Sequence, residues 1–394
     1  MKKINVEEIK NKERFQNIKY LTKEEVKTAL DFVITKIDEN MEYFGEDKFP
    51  SASSINGVYD KKINKDWTNG FWTGMLWLAY EYTGKEKYKN LAEKHVVNFK
   101  QRLDDRIVLE HHDLGFLYSL STVAAYKLTG DEFAKKVSIE ATEYLIRRYQ
   151  EKGGFIQAWG PLGEEKSYRL IIDCLLNIPL LYWTSEETGD KKYYDMAYTH
   201  YKSTINNIIR EDASTYHTYY FNPETGNPVK GVTRQGYSDE SCWARGQAWG
   251  VYGLPLTYKY TKDQDALNLY PALTNYFLNR LPKDLICYWD LIFTDKDNQV
   301  RDSSSAAIAA CGIFEMNKYY EGPDKEIYLK AAHGMLRELI NNYTTKDEKS
   351  SNGVLMHSVY AYVDNLGIDE CSTWGDYFYM EALIRLVKDW NLYW

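Results

Sequence analysis

A chain of 394 residues, 44% of them hydrophobic, is long enough for two average domains or for one large barrel-like domain with a sizeable core. Its net charge of −8, with both signs interspersed, argues against a nucleic-acid partner, which needs a basic surface to neutralise phosphate. No run of about 18 apolar residues is present, which argues against a membrane span, and the charged start Met1–Lys12 lacks the apolar stretch of a signal peptide, so a cytoplasmic location is expected.

Residues 1–22 read as a short extension, and the first helix is predicted around Lys23–Glu42. Helical hairpins then recur: "LWLAYEYTGKEKYKNLAEKHVVNF", "STVAAYKLTGDEFAKKVSIEATEYLIRRY" and "LLYWTSEETGDKKYYDMAYTHYKSTI". In each, one helix ends near a Thr-Gly and a more polar helix follows. Gly84, Gly130 and Gly189 suit the residue after a helix end, where a positive φ is wanted, and Asp131 and Asp190 supply acidic first turns. Weaker copies lie further on. In one of them Tyr328, Ala331, Ala332, Met335 and Leu339 recur at helical spacing. The chain closes with "WGDYFYMEALIRLVKDW", making about twelve helices in six loose pairs.

The interval between the Thr-Gly sites grows along the chain, whereas a tetratricopeptide array would keep a period of about 34 residues. Long loops intervene at Gly153–Tyr168, Glu211–Glu240 and Pro282–Ser303, and they hold the Trp, His, Arg, Gly and Asp residues. Hairpins joined by chemically rich loops predict an all-α fold, a closed (α/α)6 toroid whose loops rim one mouth. The expected organisation is a single domain over 1–394.

Asp173 stands in "RLIIDCLLNIPLLYW" between apolar neighbours. Burial raises a carboxyl pKa, which suits a general acid; the same residue could simply cap the helix starting at Cys174. Asn177, four residues on, could share its face. Asp113, in "LEHHDLGFLYSLS", precedes a helix predicted over Leu114–Leu128, and the same two readings apply. In a toroid both helix starts would converge on one mouth, and adjacent carboxylates push their pKa values apart. Arg245 lies between Trp243 and Trp249, just after Arg234 and Gln235. It could bind a carboxylate bidentately while the flanking indoles stack on a ring, or form a structural salt bridge. His217 and His357 could donate to hydroxyls or be structural.

Aromatic residues make up 15% of the chain; they could stack on sugar rings or fill helix interfaces. The five cysteines, Cys174, Cys242, Cys287, Cys311 and Cys371, are scattered and show no metal or disulfide spacing, so buried free thiols are expected. His111 and His112 are adjacent and make a poor metal pair. No P-loop, dinucleotide fingerprint, HExxH or GxSxG occurs, which argues against nucleotide, zinc-protease and serine-hydrolase chemistry.

The segments "DWTNGFWTGMLWLAYEYTG", "HHDLGFLYS", "GGFIQAWG", "IIDCLLNIPLL", "RQGYSDESCWARGQAWGVYG", "YWDLIF", "RDSSSAA" and "WGDYFYMEALIRL" together resemble the unsaturated glucuronyl hydrolases, family 88 of the glycoside hydrolases. The resemblance runs from about Asp31 to the C-terminus, and "VTRQGYSDES" looks most like members from Gram-positive, glycosaminoglycan-degrading bacteria. It implies an (α/α)6 barrel with no metal and no organic cofactor. It also implies disaccharide substrates with a 4,5-unsaturated uronic acid, derived from chondroitin, hyaluronan or heparin by polysaccharide lyases. The implied reaction is hydration of a vinyl ether.

By the same resemblance, Asp173 matches the general acid and base, and Asp113 the second essential carboxylate. His112 matches a site-lining position. Trp67, Phe71 and Trp159 match aromatic walls; His217, Gln235, Trp243, Arg245 and Trp249 match the pocket for the unsaturated uronate. Members favouring 6-sulfated substrates carry serines and a lysine before the last motif. Here that loop reads "YAYVDNLGIDEC", with Ala361, Asp364 and Leu366 and no lysine, while Arg234, a candidate sulfate contact, is present. The alternatives are an unsaturated rhamnogalacturonyl hydrolase acting on pectin fragments, an inverting glucanase on the same barrel, and a non-catalytic helical-repeat sugar-binding protein. No coiled coil or repeated apolar face indicates an oligomeric state.

Overall fold

The computed structural model describes residues 3–394, so the first two residues of the predicted extension lie outside the described residues. A short helix α1 (Glu13–Gln16) precedes α2 (Lys23–Phe44). Thr22 starts α2 by a reciprocal cap: its side chain accepts from the Glu25 N–H, and the Glu25 carboxylate accepts from the Thr22 N–H. The extension packs on the outside of the body, where the Asn5 N–H donates to the Glu211 carbonyl and Arg280 pairs with Glu7 at 2.8 Å.

The remaining helices are α3 (Asn69–Thr83), α4 (Glu86–Asp104), α5 (Leu114–Tyr118), α6 (Ala124–Thr129), α7 (Glu132–Ile146), α8 (Cys174–Asn177), α9 (Pro179–Thr188), α10 (Lys191–Asn207), α11 (Ala244–Thr261), α12 (Gln264–Asn279), α13 (Ser303–Met316), α14 (Lys325–Asn342) and α15 (Thr373–Val387). Their burial divides them. Every residue of α13 is buried, and α3, α11 and α15 are buried along most of their length. By contrast α4 buries one stripe, Tyr88, Leu91, Ala92, His95, Val96 and Phe99. A helix apolar all round belongs inside and an amphipathic one outside. The inner helices contact one another in a closed ring, from α3 through α5–α6, α8–α9, α11 and α13 to α15 and back to α3. The architecture is the expected (α/α)6 barrel.

Gly84, Gly130 and Gly189 follow their helices at φ of 68°, 72° and 73°. A Cβ there would meet nothing within 4 Å, so only the backbone conformation demands glycine. Asp131 and Asp190 accept from the N–H groups of Phe133 and Lys192, so they are true N-caps and not merely acidic first-turn residues.

Two expectations need correction. The helix predicted over Leu114–Leu128 is interrupted by a π-helical stretch, Ser119–Val123. There the Ser121 carbonyl accepts from the Trp77 indole N–H at 3.0 Å, a tertiary bond that sequence periodicity does not encode. The loops also hold nine short strands in four small sheets among the described residues. The relevant ones are β5 (Arg169–Ile171), β6 (Thr218–Phe221) and β7 (Pro228–Val232), which form one sheet, and the hairpin of β8 (Ser358–Ala361) and β9 (Leu366–Glu370). They stiffen the loops at one mouth. All five cysteines are buried and free, and no helix among the described residues is long and apolar enough to cross a membrane.

Gly115 is where two inner helices touch backbone to backbone. A Cβ there would lie 2.3 Å from the Asn177 Cα and 2.4 Å from its carbonyl oxygen. Relief requires α5 and α8 to separate, at an overpacking cost of about 1–3 kcal/mol or more. Gly115→Ala is therefore expected to lower the urea midpoint further than Gly84→Ala, whose cost is about 1 kcal/mol of backbone strain. Equal midpoints would contradict this account of the contact.

Candidate active site

The residues at the N-terminal starts of the six inner helical segments are Thr68, Asp113, Asp173, Trp243, Asp302 and Ser372. Several of them line or support a pocket of about 490 Å³ at one mouth. Helix N-termini carry partial positive charge, so this mouth is suited to an anion.

Asp113 and Asp173 occupy N-cap positions, yet neither side chain makes a cap hydrogen bond. The capping explanation therefore fails for both, and the carboxylates are left for the pocket. Asn177 ties their helices together. Its Oδ1 accepts from the Phe116 N–H at 2.9 Å; its Nδ2 donates to Asp113 Oδ1 at 3.4 Å and to the Asp173 carbonyl at 3.3 Å. His112 lies between the acids, its Nε2 3.4 Å from Asp113 Oδ1 and 3.3 Å from Asp173 Oδ1. Its backbone N–H donates to the Ala158 carbonyl at 2.8 Å.

Their environments push the two acids apart. At Asp173, burial raises the pKa well above the ordinary value and the neighbouring Asp113 adds to it; Arg245 opposes without prevailing. At Asp113, burial also raises the pKa, but His112, His111 and the Asn177 amide outweigh it and hold the carboxyl below its ordinary value. Burial pushes His112 down to about 4. The environments thus favour the neutral form of Asp173 and the ionised form of Asp113.

Arg245 is buried and its planar group is sandwiched, 4.4 Å from the Trp243 ring centroid and 4.8 Å from that of Trp374. The second indole is supplied by Trp374 of α15, while Trp249 lines the pocket and packs on Phe116 and Phe378. Its terminal N–H groups donate to Asp302 at 3.2 Å, the Val359 carbonyl, Gln235 Oε1 at 3.0 Å and the Tyr360 carbonyl at 2.7 Å. The salt-bridge reading of Arg245 holds, and a bidentate clamp through these groups does not. What it offers the pocket is an anchored positive charge.

Burial lowers His217 to about 3, so the ring is neutral at pH 7. Its Nδ1 accepts from the backbone N–H groups of Arg234 and Gln235 at 2.9 and 3.1 Å, which leaves the proton on Nε2. The loop that carries these residues is pinned by buried Asp290, which accepts from Ser241 Oγ at 2.6 Å and the Tyr237 N–H at 2.9 Å.

Of the expected site residues, Trp67, Asp113, Trp159, Asp173, His217, Arg234, Gln235, Trp243, Arg245 and Trp249 line the pocket. Phe71 does not. It is fully buried against Phe116, Tyr377 and Phe378 and backs Trp67 from behind. His112 sits beneath the acids and not on the lining, and His357 pairs with Asp369 away from it.

Residues the sequence reading missed include Asp302, Trp374 and Tyr360, whose hydroxyl accepts from the Trp67 indole at 2.8 Å. Arg169 stands 4.9 Å over the Trp159 ring, and Asp364 pairs with Arg234 at 2.9 Å. Asp302 in "RDSSSAA" carried a signal, an acid directly before an apolar helix like Asp113 and Asp173; the other contacts join distant segments. His112, Asp113 and Asp173 also offer donor atoms within 4.8 Å of one another, a group able to hold a metal ion that no spacing in the sequence announces.

Comparison with known proteins agrees with this geometry. The profile of Glycosyl Hydrolase Family 88 matches residues 41–388. An unsaturated chondroitin disaccharide hydrolase of Streptococcus pneumoniae is 56% identical over 396 aligned positions, covering 100% of both chains. An unsaturated glucuronyl hydrolase of a Bacillus species is 42% identical, over 90% of this chain and 95% of its own. The crystal structure of unsaturated glucuronyl hydrolase from Streptococcus agalactiae superposes with a TM-score of 0.98 at 53% identity, covering 100% of both chains. An Asp-to-Asn mutant of that enzyme, complexed with dGlcA-GalNAc6S, superposes at 0.91 with 49% identity and the same coverage. With the profile spanning most of the chain and the relatives aligned end to end, the chain belongs to glycoside hydrolase family 88.

Proposed function

We propose that this glycoside hydrolase acts as one catalytic domain, with Asp173 as general acid and base and Asp113 as its ionised partner. Its substrates are disaccharides left by polysaccharide lyases, and it releases their 4,5-unsaturated glucuronic acid. The observation that carries the reading is the buried pair itself, one carboxyl raised and one lowered, on the floor of an aromatic pocket. The relatives' names, above all the chondroitin disaccharide hydrolases, point to the glycosaminoglycan substrates over pectin fragments. A purely sugar-binding barrel would have no use for such a pair. Import of the disaccharide before hydrolysis, and hence action in the cytoplasm, goes with this reading.

The chemistry follows from a proton held where none is expected. Neutral Asp173 gives its proton to C4 of the vinyl ether, and positive charge develops at C5, shared with the ring oxygen. The carboxylate so formed takes a proton from water as its oxygen bonds to C5. The resulting hemiketal opens to a keto uronate and frees the second sugar. Ionised Asp113 raises the pKa of Asp173 and stabilises the developing cation. Arg245 and the helix N-termini favour the anionic uronate, and the exposed Trp159 offers an aromatic surface to a sugar ring.

Arg234 and Asp364 remain 48% and 39% exposed, so their ion pair is worth at most about 1 kcal/mol. A substrate sulfate could displace Asp364 at little cost but would meet its negative charge nearby. We therefore infer sulfate tolerance without a strong 6-sulfate preference.

The direct test is loss of ultraviolet absorbance from unsaturated chondroitin and hyaluronan disaccharides in the presence of EDTA. Wild type is expected to consume them steadily. Asp173→Asn should lose about 10²–10⁴-fold in kcat while keeping substrate affinity. Turnover of pectin-derived disaccharides alone would sink the assignment.

The pH profile of kcat/KM should be bell-shaped. Activity falls as pH rises through the raised pKa of Asp173, which must be protonated, and falls as pH drops through the lowered pKa of Asp113, which must be ionised. In the residual activity of Asp113→Asn the alkaline limb should move to lower pH, because the charge that raises Asp173 is gone; an unmoved limb would uncouple the two acids.

Asp364→Asn should improve kcat/KM on a 6-sulfated disaccharide relative to its unsulfated counterpart by about threefold to tenfold, the equivalent of about 1 kcal/mol of relieved repulsion. An unchanged ratio would remove Asp364 from sulfate selection.

A further inference from the structure

His112 is 1% exposed, and among the described residues neither of its ring nitrogens has a hydrogen-bond partner; Asp173 Oδ1 has none either. Buried polar atoms are normally satisfied, and among the described residues His112 is the one histidine with both ring nitrogens buried and unpartnered. The atoms face one another. Nε2 of His112 is 3.4 Å from Asp113 Oδ1 and 3.3 Å from Asp173 Oδ1, and the three donor atoms lie within 4.8 Å of each other. Ligands of a tetrahedral ion with bonds of about 2.0–2.1 Å stand about 3.3–3.4 Å apart. The two histidine-to-carboxylate distances thus already match edges of that tetrahedron.

We propose that His112, Asp113 and Asp173 form a site for a borderline transition-metal ion such as Zn2+, and that the ion inhibits the enzyme by occupying the acid. One imidazole and two carboxylates make an N/O donor set of the type zinc accepts, and the pocket leaves the fourth position to water. Mg2+ and Ca2+ are disfavoured by donor type, since both prefer all-oxygen shells and one donor here is an imidazole nitrogen. Thiols do not compete: Cys174, next to Asp173, is turned to Thr204, with its Sγ 3.3 Å from the Thr204 hydroxyl.

The surroundings mark the site as inhibitory and not as the home of a resident cofactor. A histidine in a dedicated metal site has its second nitrogen held by an outer partner, and His112 Nδ1 has none among the described residues. Arg148, Arg169 and Arg245 also act electrostatically on the cluster, and their charges oppose a cation. Binding requires only the geometry; the inhibitory consequence rests on Asp173 being the acid.

The experiment is a calorimetric titration of chelator-stripped protein with ZnCl2 in a non-coordinating buffer, run beside the absorbance assay. One ion per chain is expected, with affinity at least about tenfold weaker in Asp113→Asn, Asp173→Asn and His112→Gln, and no heat from MgCl2. The near-isosteric Asp→Asn variants guard against misfolding, checked by a wild-type circular dichroism spectrum. In wild type, zinc should slow turnover of the disaccharide, with full recovery on adding EDTA. No zinc binding, or binding left unchanged by both Asp→Asn variants, would overturn the site while leaving normal turnover, and the proposed function, intact. Zinc that binds through the triad without inhibiting would instead overturn Asp173 as the acid.

Discussion

The site depends on a single close approach. Gly115 lets the start of α5 lie directly on the backbone of Asn177 in α8, and any side chain at that position would collide. The Asn177 amide bridges the two helix starts. With α5 and α8 locked, Asp113 and Asp173 face each other across His112 and cannot relax into separate, solvated positions. Their divergent pKa directions follow from that confinement, since two carboxylates forced together in a buried place cannot both carry charge cheaply. A helix-capping role would have dissolved the pair; the absence of a cap bond from either side chain leaves both acids available.

The opposite side of the pocket is organised around Arg245. A buried guanidinium is costly unless paired, and here Asp302, Gln235 and the β8 carbonyls of Val359 and Tyr360 satisfy it. That network gathers α11, α13 and the β8–β9 hairpin to one point. The hairpin also carries Asp364, so the residue proposed to select against sulfate hangs on the same anchor. Trp243 and Trp374 sandwich the cation, and Trp67 stacks on Trp374 at 5.4 Å, so one wall of the pocket continues the cation's packing. Substitutions at Asp302 would reach substrate recognition through this network without touching substrate.

Much of this was legible along the chain. Local rules marked the helix boundaries: the Thr-Gly stops, the acidic Asp131 and Asp190 just after them, and the contrast between more apolar and more polar helices of each hairpin. An acid at the start of an apolar helix marked Asp113 and Asp173, and Asp173 has apolar neighbours on both sides, so its burial cost is visible in its immediate surroundings. What could not be read was which distant segments meet. The packing of Trp374 on Arg245, Phe71 behind the wall and not on it, and the π-helical turn that frees the Ser121 carbonyl for Trp77 each depend on contacts across the ring.

The hairpin repeat, the all-helical class and the helix-start positions of Asp113 and Asp173 could be read along the chain, since these rest on periodicity, helix-end signals and local polarity. Tertiary contacts engage Arg245 within the protein, pair Asp364 with Arg234, and join His112 to both acids in one cluster. These are pairings between residues that the chain separates and ring closure brings within a few ångströms, and no local rule specifies which partners ring closure will select.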